Sequence, residues 1–175
     1  MKLAITLQIL LLAYHQITTL VDFFPFNGIR FSRPAERRAE AAFNLLLMAP
    51  APVGFLFGLP ALIWFGAAYY PVLFACEVAT WFVPYFFGAS PKWEEIYSRV
   101  QGRTVMVIPR RGSNPTPNLE HLILMALTLG TAFATLAAYR SIPGASFRGW
   151  PIALVFGAVM VWGVAATHWK LRGRD

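Results

Sequence analysis

Long, uninterrupted hydrophobic stretches dominate the chain, and short polar segments separate them. Five such stretches lie at about residues 3–20, 41–65, 70–88, 118–139 and 150–167. Each is close to the roughly 20 residues that a helix needs to cross the hydrocarbon core of a bilayer. The pattern predicts an all-α membrane protein, a bundle of five transmembrane helices that forms a single domain over residues 1–175.

The turn between the second and third stretches is the least defined part of this pattern. Residues 41–87 contain a single charge, Glu77. As one helix they would extend roughly 70 Å, more than twice the ~30 Å thickness of the hydrocarbon core. We therefore expect the chain to fold back at residues 66–70, just before Pro71. A turn at residues 58–60 is the alternative.

The first hydrophobic stretch also has features of a signal peptide, because Lys2 precedes a short apolar segment. The residues that follow contain no A-x-A cleavage pattern, which favours its retention as a membrane span.

The longest connection, residues 89–117, is expected to form a cytoplasmic loop. Ser90 and Pro91 can start a short amphipathic helix, which would lie on the membrane surface. Residues 104–109 have β-branched side chains typical of a strand but no evident partner strand, so they predict a weak β segment.

Basic residues are distributed unevenly between the two sides of this five-span arrangement. One side would hold Lys2, Arg140 and Arg148, and the other side the remaining twelve of the fifteen lysines and arginines. Because cytoplasmic loops are enriched in Lys and Arg, the protein is expected in the plasma (inner) membrane with its N-terminus outside and its C-terminus in the cytoplasm. The same reasoning explains the net charge of +7 without a nucleic-acid partner.

Polar side chains inside the predicted spans are candidates for function, because lipid offers them no hydrogen-bonding partner. Helix geometry, at about 1.5 Å per residue, sorts them into two layers. Around Glu77 we expect an outer layer with Gln8 and Thr131. The inner layer would contain His15, Asn44, His121 and Glu120.

Glu77 is the strongest anomaly, because no lysine or arginine lies in any predicted span to pair with it. It could bind and release a proton or a cation on a transport path. It could instead be a neutral structural acid that is hydrogen-bonded to Gln8 or to a backbone carbonyl.

Familiar catalytic and cofactor signatures are absent. The single cysteine, Cys76, excludes an intramolecular disulfide, and the sequence contains no Walker, GxSxG, HExxH or GxGxxG motif. His15, His121 and His168 are weak metal or haem candidates without a ligand-type spacing, so we expect no cofactor. Catalysis is not favoured.

Two other features point to the membrane and to possible partners. Arg110 and Arg111 in the loop, with Arg37 and Arg38, could bind lipid phosphate or could act only as topology signals. Small residues recur at four-residue spacing, as in Gly54–Gly58, and allow helices to approach closely.

These observations favour a non-catalytic accessory or assembly subunit that acts through helix packing and its basic loop. Its partners would be the lipid bilayer and either a second copy or another membrane subunit. The first alternative is a small proton- or cation-linked carrier or channel that uses Glu77. The second is a membrane-embedded metal or haem protein that uses His15 and His121.

Overall fold

A computed structural model of the chain describes residues 1–145 and 149–168. Within these residues the chain forms seven α-helices, one 3-10 turn at Ile29–Phe31 and no β-strand. The helices are α1 (Lys2–Leu20), α2 (Pro34–Met48), α3 (Pro50–Phe57), α4 (Pro60–Phe87), α5 (Pro91–Val100), α6 (Leu119–Arg140) and α7 (Trp150–His168).

Four helical segments are long and apolar enough to cross a membrane: α1, the pair α2–α3 over Pro34–Phe57, α4 and α6. The prediction of an all-helical membrane protein is therefore confirmed at this level. The apolar stretch described in α7, Ala153–Thr167, is shorter than these four. The fifth crossing stays a prediction.

The predicted turn at residues 66–70 is wrong, because α4 continues through this region and through Pro71. The chain turns at residues 58–60, the alternative position. Gly58 ends α3 with a φ of 64°, a left-handed conformation that glycine adopts without steric cost. Pro60 then begins α4 in the first helical turn, where its missing N–H needs no partner.

Gly66 serves helix packing rather than chain reversal. A Cβ atom on Gly66 would lie 2.5 Å from the Cβ of Ala51, so the glycine lets α3 and α4 pack closely. Tyr70, which is fully buried, donates a hydrogen bond from its hydroxyl to the carbonyl of Met48 at 3.2 Å. The second and third candidate spans begin at Pro34 and Pro60, whereas residues 41 and 70 were the predicted starts.

The helices pack into one bundle in which α4 contacts α3, α6 and α7, and α1 contacts α2, α3 and α6. Several small residues that were predicted to form packing faces lie at contacts between helices of this chain. A Cβ on Gly54 would lie 2.7 Å from that of Leu62, and a Cβ on Gly157 would lie 2.7 Å from Cγ2 of Val72. The Gly54–Gly58 motif thus closes the α3–α4 hairpin.

The loop between α4 and α6 contains the helix predicted after Ser90. Ser90 caps α5 by accepting a hydrogen bond from the backbone N–H of Trp93. The predicted β segment at residues 104–109 is reduced to a single antiparallel bridge between Met106 and Asn118 in the described chain. Asn118 is fully buried and caps α6 through the backbone N–H of His121.

The helix ends sort the connections into two groups. Met1, Gly58, Pro60 and Ile142 line one cavity at one end of the bundle. The opposite end, which we call the loop face, consists of residues 21–33 and 88–118. Ser90 donates a hydrogen bond to the carbonyl of Thr167, which brings the end of α7 to the loop face as well. The predicted connection at residues 66–70 is replaced in the first group by the turn at residues 58–60.

Candidate functional site

A polar cavity of about 510 Å³ extends from the loop face into the bundle. We call it the polar cavity. Helices α1, α2, α4, α5 and α6 each contribute to its walls, so tertiary packing brings together residues that are distant in sequence. Its polar and aromatic lining includes His15, Glu36, Arg37, Glu40, Asn44, Cys76, Glu77, Thr80, Trp81, Trp93, Arg99, Gln101 and His121.

Glu77 lies at the inner part of this cavity, well inside the apolar helix α4. The Thr128 hydroxyl donates a hydrogen bond to Glu77 Oε1 at 2.9 Å. The other carboxyl oxygen, Oε2, is buried, and no hydrogen-bond donor reaches it within the described chain. None of the ion pairs found among the described residues involves Glu77. Glu77 therefore has one carboxyl oxygen that is enclosed and that lacks a hydrogen-bond partner among the described residues.

The predicted outer layer of Gln8, Glu77 and Thr131 does not form. Gln8 donates to the hydroxyl of Thr135 at 2.9 Å, and Thr131 donates to the backbone carbonyl of Leu7 at 3.3 Å. Glu77 instead bonds to Thr128, seven residues from Thr135 along α6, a separation of about 10 Å.

The position of the turn explains this difference. With a turn at residue 70, Glu77 would lie about 10 Å from the outer end of its helix. Because α4 begins at Pro60, seventeen residues of helix precede Glu77, a rise of about 26 Å. Glu77 therefore lies beside His15 and His121, which were predicted to form a separate layer.

The two cavity histidines each use Nδ1 within their own helix. His15 Nδ1 is 3.4 Å from the Thr19 hydroxyl, and His121 Nδ1 is hydrogen-bonded to Asn118 Oδ1. His121 also packs against Trp81, with ring centroids 4.0 Å apart. Because Nδ1 is engaged, Nε2 is the ring nitrogen that each histidine has left for a molecule in the cavity.

The described residues contain no group of three His, Cys, Asp or Glu side chains placed to hold a metal ion. His168 ends α7, but its side chain lies outside the described part of the structure.

The other predicted polar residues occupy different positions around the polar cavity. Asn44 lines it and donates to the Glu40 carbonyl, whereas Glu120 lies behind His121 with its Oε2 3.8 Å from His121 Nδ1. Arg37 lines the cavity, and its buried Nε has no hydrogen-bond partner among the described groups. Arg38 is exposed and bonds back to the Pro34 carbonyl.

Several residues of the site were not predicted as site residues. Thr128 and Thr135 were not predicted, whereas Thr131 was. All three are fully buried and follow a spacing of three and four residues, so they form one polar stripe on α6. Trp81 follows Glu77 by four residues and therefore shares its helix face. Both spacings are visible in the sequence. Glu40 and Trp93 line the polar cavity because of how α2 and α5 pack against the other helices. No spacing in the sequence indicates this.

Comparisons of the chain with protein-family models, curated proteins and solved structures find no match. The functional argument therefore depends on the chemistry of the polar cavity. Its lining holds three carboxyl groups, two tryptophans and two arginines, and the carboxyl and aromatic groups are those that attract cations. Glu77 and the two histidines can hold or exchange protons.

Proposed function

We propose that the chain is a small proton- or cation-linked membrane carrier in which Glu77 is the central binding group. The observation that carries this proposal is the setting of Glu77: a carboxyl deep in an apolar bundle, with one unpartnered oxygen, in a cavity that extends to the loop face. A carboxyl in such a place either carries a proton or binds a cation, and exchange between the two links transport to protons.

The walls of the polar cavity favour an organic cation over a bare metal ion. Trp81 and Trp93 lie edge to face with their ring centroids 5.6 Å apart, and both line the cavity together with Glu77. Aromatic faces attract ammonium groups, and a nearby carboxylate supplies the opposite charge. A volume of about 510 Å³ also exceeds what a dehydrated metal ion would fill.

Direct helix contacts lie between Glu77 and the cavity at the opposite end of the bundle. The hydrogen bond from Gln8 to Thr135 joins α1 to α6, and the bond from Tyr70 to Met48 joins α4 to α2. For the proposed carrier, a path to Glu77 from the loop face corresponds to one of the two states of alternating access. The charge distribution of the loops supports a loop face in the cytoplasm and an N-terminus outside, in the plasma (inner) membrane.

Uptake of radiolabelled tetraethylammonium into proteoliposomes tests this proposal. With an imposed pH gradient, we expect uptake into liposomes that contain the wild-type protein to exceed uptake into protein-free liposomes. Glu77→Gln should reduce uptake by at least about tenfold, equivalent to 1.4 kcal/mol of lost binding. Glu94→Gln is the matched control, because Glu94 is exposed on α5 and does not line the cavity. Equal uptake by the wild type and Glu77→Gln would refute the role of Glu77.

The accessory-subunit hypothesis stays a prediction. It was supported by the absence of catalytic motifs and by the small-residue faces, and two glycines of those faces, Gly54 and Gly157, are occupied by contacts within this chain. Isolation from its native membrane in a defined complex with another subunit would favour the accessory role.

A further inference from the structure

A second pocket, of about 310 Å³, lies on the loop face and shares no lining residue with the polar cavity. We call it the loop pocket. One wall is the last turn of α5 with the residues that follow it, and the other is the segment 110–114. It is lined by Tyr97, Ser98, Gly102, Arg103, Arg110, Gly112, Ser113 and Asn114.

The loop pocket is basic and has no carboxylate in its lining. Arg103 and Arg110 both contribute to its walls, and neither is among the arginines that form ion pairs in the described chain. Among the described residues, Arg110 Nη2 donates to the Gly102 carbonyl at 3.5 Å. The Arg103 guanidinium lies 5.9 Å from the centre of the Phe31 ring, a contact that leaves its charge without a counter-ion within the part of the chain that the structure describes. Two guanidinium groups with nearby Tyr97 and Ser113 hydroxyls are the donors that proteins use to bind phosphate.

Two hydrogen bonds attach the loop pocket to the end of the membrane-spanning helix α4. The Tyr85 hydroxyl donates to the Pro109 carbonyl, and the Asn114 side-chain amide donates to the Tyr85 carbonyl, both at 2.9 Å. The attached segment, residues 109–114, therefore contains Arg110 and is held at the last turn of α4.

Aromatic residues mark this level as the membrane boundary. Phe86 and Phe87 in the last turn of α4 are 46% and 65% exposed. The Arg111 guanidinium lies 5.4 Å from the centre of the Phe86 ring. Aromatic side chains and arginines occur together where a span meets the lipid headgroups. The loop pocket is therefore at the depth where phosphate groups of lipids are found.

We propose that the loop pocket is a binding site for a phosphate group that carries net negative charge, held by Arg103 and Arg110. An anionic lipid headgroup and free inorganic phosphate share this chemistry. The site is independent of the carrier function, because it shares no residue with the polar cavity.

Native mass spectrometry of the detergent-purified protein tests the lipid source. We expect wild-type protein to retain phosphatidylglycerol at least about tenfold more strongly than phosphatidylcholine, a difference of 1.4 kcal/mol. Arg103→Ala/Arg110→Ala should abolish this preference. Lys92→Ala is the matched control, because Lys92 is an exposed base of the same loop outside the pocket.

Isothermal titration calorimetry of the lipid-free protein with inorganic phosphate tests whether free phosphate is the ligand. Saturable binding that the double alanine variant loses would support the site with free phosphate as ligand. If the double alanine variant fails to fold, an Arg103→Lys/Arg110→Lys variant replaces it. Unchanged helical circular dichroism would verify that the lysine variant is folded. It keeps the charge but loses the guanidinium geometry, so weaker binding is expected.

Two results would overturn the proposal. One is the absence of both phosphatidylglycerol preference and phosphate binding in the wild type. The other is an equal loss of binding in Lys92→Ala and in the double arginine variant, since this would show that the charge of the loop acts diffusely.

Discussion

The Thr128 hydroxyl donates one hydrogen bond to Glu77 Oε1 at 2.9 Å and contacts its own helix through the Leu124 carbonyl at 3.0 Å. This pair joins α6 to α4 at the inner part of the polar cavity. It fixes one carboxyl oxygen of Glu77, while the other, which is buried, receives no hydrogen bond from the described residues.

Replacement of Thr128 by valine should weaken the bundle without changing its packing volume. Hydrogen bonds between membrane helices contribute about 0.6 kcal/mol on average and up to about 1.7 kcal/mol, so a loss within this range is expected. The measurement is reversible unfolding in mixed micelles. A double-mutant cycle with Glu77→Leu, which has no acceptor, isolates the pair, and a coupling free energy of zero would show that the bond contributes nothing.

Gly54→Ala should destabilise the α3–α4 hairpin by about 1–3 kcal/mol. The added Cβ would lie 2.7 Å from the Cβ of Leu62 and 2.8 Å from the backbone nitrogen of Ile63, and backbone yields less readily than a flexible side chain. Unfolding in detergent measures the effect.

Gly163→Ala in α7 is the matched control for this substitution. No heavy atom lies within 4 Å of a Cβ built on Gly163, so alanine should be neutral or slightly stabilising. If Gly54→Ala changed only the oligomeric state and left monomer stability intact, the Gly54–Gly58 motif would be an intermolecular contact after all.

Asn118 connects the loop to the bundle, and its replacement by alanine should cost about 1–3 kcal/mol of stability. Its amide donates to Gln101 Oε1 at 2.8 Å and to the Thr104 hydroxyl at 2.9 Å, while its oxygen caps α6.

Asn118→Asp separates these two contributions. The carboxylate keeps the helix cap but loses both donated bonds, so its stability should lie between those of the wild type and Asn118→Ala. Thermal unfolding followed by circular dichroism provides the comparison. An aspartate variant as unstable as the alanine variant would assign the whole effect to the donated bonds.

The two ends of the bundle should react differently with a membrane-impermeant thiol reagent. On a Cys76→Ala background, a cysteine at Leu59 should label only from outside the cell and a cysteine at Ser113 only from the cytoplasm, if the positive-inside assignment is right. Leu59 and Ser113 are exposed, which makes both positions reactive.

A cysteine at Tyr70 tests the position of the turn in the same assay. Tyr70 is fully buried within α4, so it should not react from either side. Outside labelling of Tyr70→Cys with protection of Leu59→Cys would return the turn to residues 66–70.

The hydrophobic pattern by itself determined that the chain is helical and embedded in a membrane, because the length of an apolar stretch and the bilayer thickness decide this locally. It also identified Glu77 and His15 as unusual, because a polar group within an apolar helix stands out without any knowledge of its neighbours.

Tertiary structure alone decided which polar residues meet. The apolar stretch offered two possible turns, at residues 58–60 and 66–70, and the sequence did not distinguish between them. In the fold, Gly66 lies inside α4, where a Cβ would be 2.5 Å from the Cβ of Ala51, and the chain turns at Gly58. That choice moved Glu77 by about ten residues along the bundle axis and placed it with His15 and His121. The loop pocket likewise depends on contacts between residues that are distant in sequence. Hydrogen bonds join Tyr85 to Pro109 and to Asn114 and hold one wall of the pocket against the end of α4.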